Sequence, residues 1–303
     1  MDSVVVEHIR KYFGSQCAVD DVSFTVNSGE IFGLLGPNGA GKTTTIRIML
    51  DIYQADGGSV KLFGEPIKPA TRNHIGYLPE ERGLYQDITL ERCILYLAHL
   101  KGLSKAVAQQ RMDDYLKRFD LDTHRKKKVK TLSKGMQQKA QLIVTLIHEP
   151  DLIIIDEPFS ALDPVNTQMV KDLLSEQRDK GRTIIMCTHQ MHQVEELCDR
   201  MILINQGKAM LYGSLRDIQN QFARQEVYVE LGETLTEPPA GVSAVNTRNH
   251  GYLLDLQPGA TADTVLKDLL ARGLTIRKFE LAMPTLDEIF IQTVQGQTTE
   301  EAR

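Results

Sequence analysis

The stretch Gly36-Pro37-Asn38-Gly39-Ala40-Gly41-Lys42-Thr43-Thr44 decides the fold that we predict for this chain. It contains a glycine, four further residues and then Gly-Lys-Thr, which is the pattern of a phosphate-binding loop. Glycines permit a turn whose main-chain N–H groups converge, so the loop can cradle a phosphate group. Lys42 is expected to reach the β- and γ-phosphates of a nucleoside triphosphate, and the Thr43 hydroxyl to bind Mg²⁺.

The residues on both sides of this loop predict the context that a phosphate-binding loop requires. Residues 30–35 are an apolar stretch of strand length, and residues 43–50 carry Ile46, Met49 and Leu50 on one face of a predicted helix. Strand, loop and helix therefore follow in the required order, and the positive end of the helix dipole lies beneath the phosphates. A glycine-rich turn that binds nothing is the alternative, and this order disfavours it.

Length and charge limit the classes of protein to which the chain can belong. Its 303 residues suffice for one large α/β domain and a smaller one. The net charge of −5 argues against non-specific binding to nucleic acid, so no nucleic-acid partner is expected. The cysteines lack metal or redox spacing, and no apolar run approaches the roughly 20 residues that cross a bilayer. We therefore expect a cytoplasmic protein without a secretory leader, which reaches a membrane only through a partner.

A second apolar stretch, residues 152–157, ends in two carboxylates. Its continuous run Leu152-Ile153-Ile154-Ile155 predicts a central parallel strand that is covered on both faces. Ligands of open α/β sheets lie at the carboxyl ends of such strands. Asp156 is therefore expected to hold Mg²⁺, and Glu157 to accept a proton from an attacking water molecule. A helix-capping acidic pair is the alternative, which the apolar strand and the phosphate-binding loop disfavour.

Two further positions have both a structural and a functional interpretation. Residues 183–187 predict a buried strand that ends at Thr188-His189, which brings His189 within reach of a γ-phosphate if this strand lies beside residues 152–157. A structural histidine is the alternative. Phe13, or its neighbour Tyr12, is a candidate to stack on an adenine ring. An aromatic side chain at the edge of a β-layer is the alternative, and residue type alone favours it.

The stretch Leu132-Ser133-Lys134-Gly135-Met136-Gln137-Gln138 resembles the signature motif of the ATP-binding subunits of ATP-binding-cassette (ABC) transporters. It precedes Asp156-Glu157, as the signature motif does in that family. Phe159-Ser160-Ala161-Leu162-Asp163 is similar to the family's D-loop, and His189 to its switch histidine. Five motifs thus occur in the family's order, and the resemblance extends over about residues 1–220.

The resemblance implies an α/β fold of the P-loop NTPase class, in the form of an ABC ATPase cassette. Such a cassette has a mixed-sheet core, an antiparallel β subdomain and a helical subdomain, which is expected here at about residues 85–147. The ATP-binding domain as a whole is expected to cover residues 1–220.

Residues 221–303 predict a small α+β accessory domain. Alternating and amphipathic patterns predict three strands and one helix, at 226–231, 252–256, 274–281 and 261–272. Thr285 is expected to cap a short final helix, with Glu288 three residues further on. The phrase from Pro284 to Phe290 resembles the tail of a subgroup of bacterial exporter subunits.

The resemblance further implies a head-to-tail dimer that holds ATP and Mg²⁺ between two copies of the chain. One copy contributes the loop residues Gly36, Pro37, Asn38, Gly39, Ala40, Gly41, Lys42, Thr43 and Thr44. The other copy contributes Ser133, Gly135, Met136 and Asp163, with Ser133 and the Gly135 N–H at a helix start. Lys42, Glu157 and His189 are the implied catalytic residues. ATP binds the closed dimer better than the open one, so hydrolysis allows the dimer to open.

The chain departs from the family pattern in two motifs. In the signature, Lys134 stands where glycine is usual and Met136 where glutamine is usual. In the Q-loop, Glu80 stands at the position of the glutamine. The Glu80 carboxylate is still a candidate Mg²⁺ contact, but it adds negative charge beside the phosphates. Some bacterial exporter subunits of the family have the same features.

These features together predict an ATPase that drives export of a substrate through a separate membrane permease, located peripherally on the inner face of the cell membrane. Leu84, Tyr85 and the helix from Leu90 are the candidate surface for the permease, because the family docks there. A soluble ABC ATPase that acts on ribosomes or nucleic acid is the alternative, although the chain has one cassette, no heptad run and no cysteine cluster. A small-molecule P-loop kinase does not explain the signature motif.

Overall fold

The computed structural model describes residues 2–81, 83–223, 225–248 and 250–301, with the main chain alone for residues 295–301. The chain divides into two compact units between Leu215 and Arg216. The predicted domain boundary after residue 220 falls inside the helix that begins at Leu215, and the predicted ends at residues 1 and 303 lie outside the described residues. Within the described part of the chain, no helix has the length and apolar character needed to cross a membrane.

The first unit alternates strands and helices along the chain. Its strands are β1 (Asp2–Phe13), β2 (Gln16–Asn27), β3 (Ile31–Leu35), β4 (Gly57–Leu62), β5 (Ile75–Leu78), β6 (Leu152–Asp156), β7 (Thr183–Thr188), β8 (Arg200–Asn205) and β9 (Lys208–Ser214). Its helices are α1 (Lys42–Met49), α2 (Leu90–Leu100), α3 (Lys105–Arg118), α4 (Lys134–Leu146), α5 (Pro164–Asp179) and α6 (Met191–Leu197), and α7 (Leu215–Phe222) begins at the division between the units.

A six-stranded sheet with the order β5-β6-β7-β3-β8-β9 forms the centre of this unit. Its first five strands are parallel, and β9 closes the edge in the antiparallel direction. Every residue of β3, β6 and β7 is buried, as expected for strands that are covered on both faces. Leu35 pairs with Thr188 and Asp156 with Cys187, so the carboxyl ends of these three strands meet at one edge. The predicted α/β class with a mixed sheet is confirmed.

A second, antiparallel sheet with the order β2-β1-β4 packs against the central sheet. The Phe24 ring from β2 stacks on the Phe32 ring from β3, with 5.5 Å between centroids and 7° between planes. Val4, Val6 and Val22 lie in the same buried cluster as Ile154. The two sheets therefore share one apolar core, and this core supports the loop between β3 and α1.

The helices α2, α3 and α4 lie in the region predicted to be helical. Each begins with a hydroxyl residue whose oxygen accepts a hydrogen bond from a main-chain N–H three residues on, which satisfies one free donor of the first turn. These residues are Thr89, Ser104 and Ser133. The sequence therefore fixes where each helix starts, including the helix that carries the signature motif.

The second unit contains an antiparallel sheet, two further helices, and all of α7 except its first residue. Its other elements are β10 (Glu226–Leu231), β11 (Val242–Arg248), β12 (Gly251–Leu256), α8 (Ala262–Ala271), β13 (Ile276–Leu281) and α9 (Leu286–Glu301), with the strand order β11-β12-β10-β13. Thr285 and Glu288 form the expected reciprocal cap, with N···O distances of 2.9 and 3.3 Å. The prediction of a short final helix is wrong, because α9 continues for 16 residues. The sequence after Pro284 contains no further proline, and Gly296 does not end the helix.

Candidate functional site

The loop between β3 and α1 has a main chain that only glycine can adopt at two positions. Gly36 and Gly41 have φ angles of 150° and 106°. A Cβ at Gly36 would lie 2.0 Å from the Ile204 oxygen, and a Cβ at Gly41 would lie 2.4 Å from the Ala18 oxygen. Both approaches are impossible for any side chain. The glycines therefore allow the loop to lie directly on the neighbouring main chain.

Lys42 places a positive charge inside this loop. It is the first residue of α1 and is buried, and its Nζ atom donates to the carbonyl oxygens of Gly36 at 2.8 Å and Pro37 at 3.0 Å. The ammonium group thus lies across the loop, where the main-chain N–H groups of the first helical turn also point. This arrangement of one cation and several N–H donors suits a phosphate group.

Thr43 and Asp156 meet at the point where β6 ends beside α1. The Thr43 hydroxyl donates to Asp156 Oδ2 at 3.1 Å. Burial raises the pKa of Asp156 above its ordinary value, whereas hydrogen bonds from the Cys187 thiol and from Thr43 lower it. A hydroxyl and a carboxylate oxygen held together on two rigid elements are the kind of ligand set that Mg²⁺ prefers, so these residues fit that ion. Glu80 is exposed on the same side of the sheet.

Glu157 follows β6 directly, and its carboxylate is held by the end of β7. Thr188 Oγ1 donates to Glu157 Oε2 at 3.1 Å, and the His189 N–H donates to Oε1 at 3.0 Å. His189 Nδ1 lies 2.6 Å from the same Oε1 atom. The Glu157 side chain is 10% exposed and that of His189 is 49% exposed. The structure therefore brings together the two residues that the sequence places at the ends of neighbouring strands.

A cavity of about 590 Å³ lies beside the loop. The predicted site residues in its wall are Phe13, residues 38–44, Glu80, Asp156 and Glu157. Gly36 and Pro37 are not in the wall, but their carbonyl oxygens hold Lys42. His189 contacts Glu157 but does not line the cavity either.

Phe13 lies at the mouth of this cavity and is 46% exposed. Its ring meets that of Tyr53 edge-on at 5.5 Å, and Lys11 Nζ lies 5.7 Å from its centroid. Tyr12 has the same exposure, yet it is not part of the cavity wall. Of the two aromatic candidates, Phe13 is the one whose position suits an adenine ring.

The signature residues lie on another part of the unit. Ser133 is exposed at the start of α4, and its hydroxyl accepts from the Met136 N–H at 3.2 Å. Asp163 begins α5 in the same way by accepting from the Asn166 N–H at 2.9 Å, which lowers the pKa of Asp163. A Cβ at Gly135 would lie 3.1 Å from the Ala161 oxygen. Among the described residues, the cavity wall includes neither Ser133, Gly135 and Met136 nor Asp163.

Residues that the sequence analysis did not identify complete the cavity wall. They are Gln16, Cys17, Ala18, Gln206 and Gly207. The last two form the turn between β8 and β9, and the Gly207 N–H donates to the Ala40 oxygen at 2.9 Å. Positive φ angles at Gln206 and Gly207 are typical of a tight hairpin turn, which the Asn-Gln-Gly sequence can indicate. Their place beside the loop, however, depends on long-range strand pairing.

Comparisons with known proteins agree with this arrangement. A family model described as "ABC transporter" matches residues 19–160, and one described as "ATP-binding protein DrrA1-3-like, C-terminal domain" matches residues 213–294. The uncharacterized ABC transporter ATP-binding protein YhaQ of Bacillus subtilis is 38% identical over 293 residues, which cover 96% of this chain and 98% of that protein. The linearmycin resistance ATP-binding protein LnrL of Bacillus subtilis is 34% identical over 70% of this chain and 69% of its own.

Solved structures give the same result. The structure of an ATP-binding subunit of an ABC transporter superposes with a TM-score of 0.68 at 34% identity, and covers 72% of this chain and 92% of that one. The relatives are transporter subunits, so they do not support an ATPase that acts on ribosomes. From the phosphate-binding loop, the carboxylates at the end of β6 and the near-full-length similarity to YhaQ, we conclude that the chain belongs to the ABC transporter family, as an ATP-binding subunit with ATPase activity.

Proposed function

We propose that this chain hydrolyses MgATP at the interface of a head-to-tail dimer, and that hydrolysis drives export of a substrate through a separate membrane permease. The observation that carries the proposal is the separation of two groups of residues within one copy. The loop, Asp156 and Glu157 line one cavity, whereas Ser133 and Gly135 are at the start of α4 outside it. Two copies in head-to-tail orientation can place the second group over the first.

In this proposal the loop residues 36–44 bind the phosphates of ATP. Lys42 and the N–H groups of the loop neutralise charge on the transferred phosphoryl group, which is the main requirement of phosphoryl transfer to water. Thr43 and Asp156 hold Mg²⁺, with Glu80 as a further candidate ligand. When bound, this ion supplies additional positive charge to the phosphate oxygens. Phe13 stacks on the adenine ring.

Glu157 acts as the general base in the same site. Its Oε2 atom accepts only one hydrogen bond in the described residues, from Thr188, so it retains capacity to accept a proton from water. His189 fixes the other oxygen through its N–H and its ring. The role proposed for His189 is therefore to orient the base and to contact the γ-phosphate with its exposed edge.

The second copy completes the site with Ser133, Gly135, Met136 and Asp163. The hydroxyl of Ser133 and the free N–H groups at the start of α4 are exposed and can approach the γ-phosphate of an ATP that the first copy holds. Lys134 is exposed beside them, so its side chain does not crowd the main chain. Its positive charge favours approach to the triphosphate.

The proposed surface for the permease is a groove of about 670 Å³ between α2, α4 and the segment after α1. Ile52 and Leu100 in its wall are more than half exposed, and the wall also contains Lys101 and the ion pair between Arg72 and Asp51. Tyr85 is half exposed and meets the ring of Tyr96 at 5.5 Å. Neither ring lines the groove, so Tyr85 is a separate candidate for contact with the permease. A permease bound here would hold the chain at the inner face of the membrane.

Leu84 does not belong to this surface. It is 6% exposed, and this burial disfavours the predicted contact with the permease. The Leu84 side chain packs inside its own subunit, as apolar side chains usually do.

Two relatives support the direction of transport. The Nod factor export ATP-binding protein I of Burkholderia lata is 35% identical over 68% of this chain, and LnrL is described as a linearmycin resistance protein. The chemical class of the substrate is a property of the permease, because the cavity described here is occupied by ATP in this proposal.

The test is the variant Glu157→Gln, which removes the base and keeps the size of the side chain. We expect it to bind ATP, to form a stable dimer in size-exclusion chromatography with light scattering, and to lose steady-state turnover, with only a slow residual single-turnover rate. ADP should not produce the dimer. ATP hydrolysis at the wild-type rate by this variant would refute the role of Glu157.

A further inference from the structure

Helix α4 carries three buried glutamines whose side-chain amides donate to main-chain carbonyl groups. Gln137 donates to Val129 and Leu132, in the segment that precedes the helix. Gln141 donates to Glu81. Gln138 donates to Glu157 at 3.4 Å and to Pro158 at 3.2 Å. Each glutamine therefore ties α4 to a different segment, and only Gln138 reaches the residue that follows β6.

The main chain at Glu157 has a conformation that needs support. Its φ angle is 54°, in the left-handed region that a glutamate rarely adopts. Such a conformation persists only where the surrounding contacts fix it, and it is common at functional sites. The Glu157 N–H donates to the Cys187 oxygen at 2.9 Å, and the Glu157 oxygen accepts from Gln138. Neighbouring elements thus hold the peptide groups on both sides of the strained residue.

The side chain of Glu157 is fixed separately. Thr188 and His189 hold its two carboxylate oxygens from the end of β7. These bonds orient the carboxylate only if the Cα–Cβ bond points in the right direction, and the φ angle of Glu157 sets that direction. Gln138 is 4% exposed, and its amide reaches the main-chain oxygen of Glu157 from α4, a different element from the one that holds the carboxylate.

We propose that Gln138 is a positioning residue for Glu157: it fixes the main chain from which the base projects, and it ties that main chain to the helix that begins at Ser133. The proposal rests on the function proposed above, in which Glu157 is the base of one ATP site and Ser133 contacts the ATP of the other. In that dimer, Gln138 joins the two half-sites that one chain contributes. Movement of α4 toward one nucleotide then changes the position of the base at the other.

The variant Gln138→Met tests the proposal, because methionine has a similar length and no donor. A displaced base lowers the rate of the chemical step and leaves ATP binding intact. We expect kcat to fall about 10- to 100-fold with KM for ATP within about twofold of the wild-type value. Gln138→Asn, whose side chain is one methylene too short to reach both carbonyls, should likewise lower kcat and leave KM nearly unchanged. This variant serves as the test if Gln138→Met does not fold.

Gln141→Met is the matched control. It removes a buried amide–carbonyl bond from the same helix, but this bond goes to Glu81 and not to Glu157. If Gln138 acts through Glu157, then adding Gln138→Met to Glu157→Gln should change the residual single-turnover rate by less than about twofold. Gln141→Met should instead change the rate by the same factor in the wild type and in Glu157→Gln.

The possible results separate this proposal from the proposed function. A Gln138→Met variant with full kcat beside an inactive Glu157→Gln variant would overturn the role of Gln138 alone. A raised KM with unchanged kcat, or a further large loss when Gln138→Met is added to Glu157→Gln, would also overturn it. Wild-type hydrolysis by Glu157→Gln would overturn the role of Glu157 and, with it, that of Gln138.

Discussion

The phosphate-binding loop and the start of α4 both present the N-terminus of a helix next to glycine, but they differ in what surrounds them. At the loop, Lys42 is buried and donates hydrogen bonds to the loop carbonyls. The Thr43 hydroxyl oxygen lies 3.1 Å from Asp156 Oδ2. At the start of α4, Ser133 is exposed and its hydroxyl caps its own helix. The phosphate-binding loop therefore has a cation, a ligand set for a metal and a cavity. The start of α4 offers the N–H groups of its first turn at a surface.

This difference has a physical consequence for binding. A buried lysine and fixed glycine turns are organised before a phosphate arrives, so the loop can bind a nucleotide on its own. The start of α4 is not part of the wall of the cavity that the loop lines, so it needs the cavity of a second copy to meet a bound nucleotide. We therefore infer that one copy of the chain binds ATP but does not complete the site for its hydrolysis.

The largest expected effect distinguishes the phosphate-binding loop, which binds ATP within one copy, from the start of α4, which acts on ATP that the other copy holds. Lys42→Met should weaken ATP binding and lower kcat/KM by about 10²- to 10³-fold, because it removes the buried cation from the phosphates. Ser133→Ala should bind ATP to one copy as the wild type does, yet hydrolyse it at least about tenfold more slowly. Calorimetry with a non-hydrolysable ATP analogue at low protein concentration, together with a phosphate-release assay, measures both quantities.

A control accounts for the lost helix cap in Ser133→Ala. Ser104 caps α3 in the same way, with its hydroxyl 3.4 Å from the Val107 N–H. Ser104→Ala and Ser133→Ala should each cost about 1 kcal/mol of stability. Only Ser133→Ala should slow hydrolysis. Equal loss of activity in the two variants would mean that the serine at the start of α4 acts through helix stability.

The second prediction concerns the charge of Asp156. Burial raises the pKa of this carboxyl above its ordinary value of 3.8, so its ionised form costs stability in the folded state. The cost is absent below the ordinary pKa and appears as the pH rises through the folded pKa. Asp156→Asn should therefore raise Tm at pH 7 in the absence of nucleotide, and the difference should shrink as the pH falls toward 3.8.

The same variant should lose ATP hydrolysis by about 10²-fold, because an amide is a poorer ligand for Mg²⁺ than a carboxylate. Thermal unfolding across pH and a hydrolysis assay with added Mg²⁺ measure the two effects on one protein. A lower Tm than the wild type at pH 7 would contradict the unfavourable burial of the Asp156 charge.

The smallest predicted effect lies at the mouth of the cavity. Phe13→Ala should raise KM for ATP about tenfold by removal of a stacking surface, with little change in kcat. Tyr12→Ala is the matched control, since Tyr12 has the same 46% exposure and does not line the cavity. Equal KM values for the two variants would contradict stacking of Phe13 on adenine and would mean that its ring only covers the edge of the β-layer.

The parts of the site that the sequence could predict are the local ones. The loop of residues 36–44 and the carboxylates after β6 are contiguous stretches, and buried parallel strands bring their carboxyl ends to one edge. The positions of Gln16 and Gly207 beside Ala40 depend on where β2 and the turn between β8 and β9 come to lie. No local pattern contains that information.

The same reasoning explains the elements that were missed or misjudged. The strand β11 has mostly exposed side chains, so its sequence lacks the alternation that marks a half-buried strand. Leu84 lies in the segment that was predicted to contact the permease, yet tertiary packing buries its side chain. The tie between Gln138 and Glu157 joins residues from a helix and a strand end, and a polar residue in a helix gives no sign that its amide is buried.

The central claim is that two incomplete half-sites combine across a dimer, and a mixture of two impaired variants tests it most directly. Equal amounts of Lys42→Met and Ser133→Ala are mixed above the concentration at which ATP forms the dimer, and phosphate release is measured. Half of the dimers are then mixed, and each contains one site with both an intact loop and an intact Ser133. If the two sites act independently, the mixture should recover about a quarter of the wild-type rate. A rate no higher than the mean of the two variants alone would contradict a site shared between two copies.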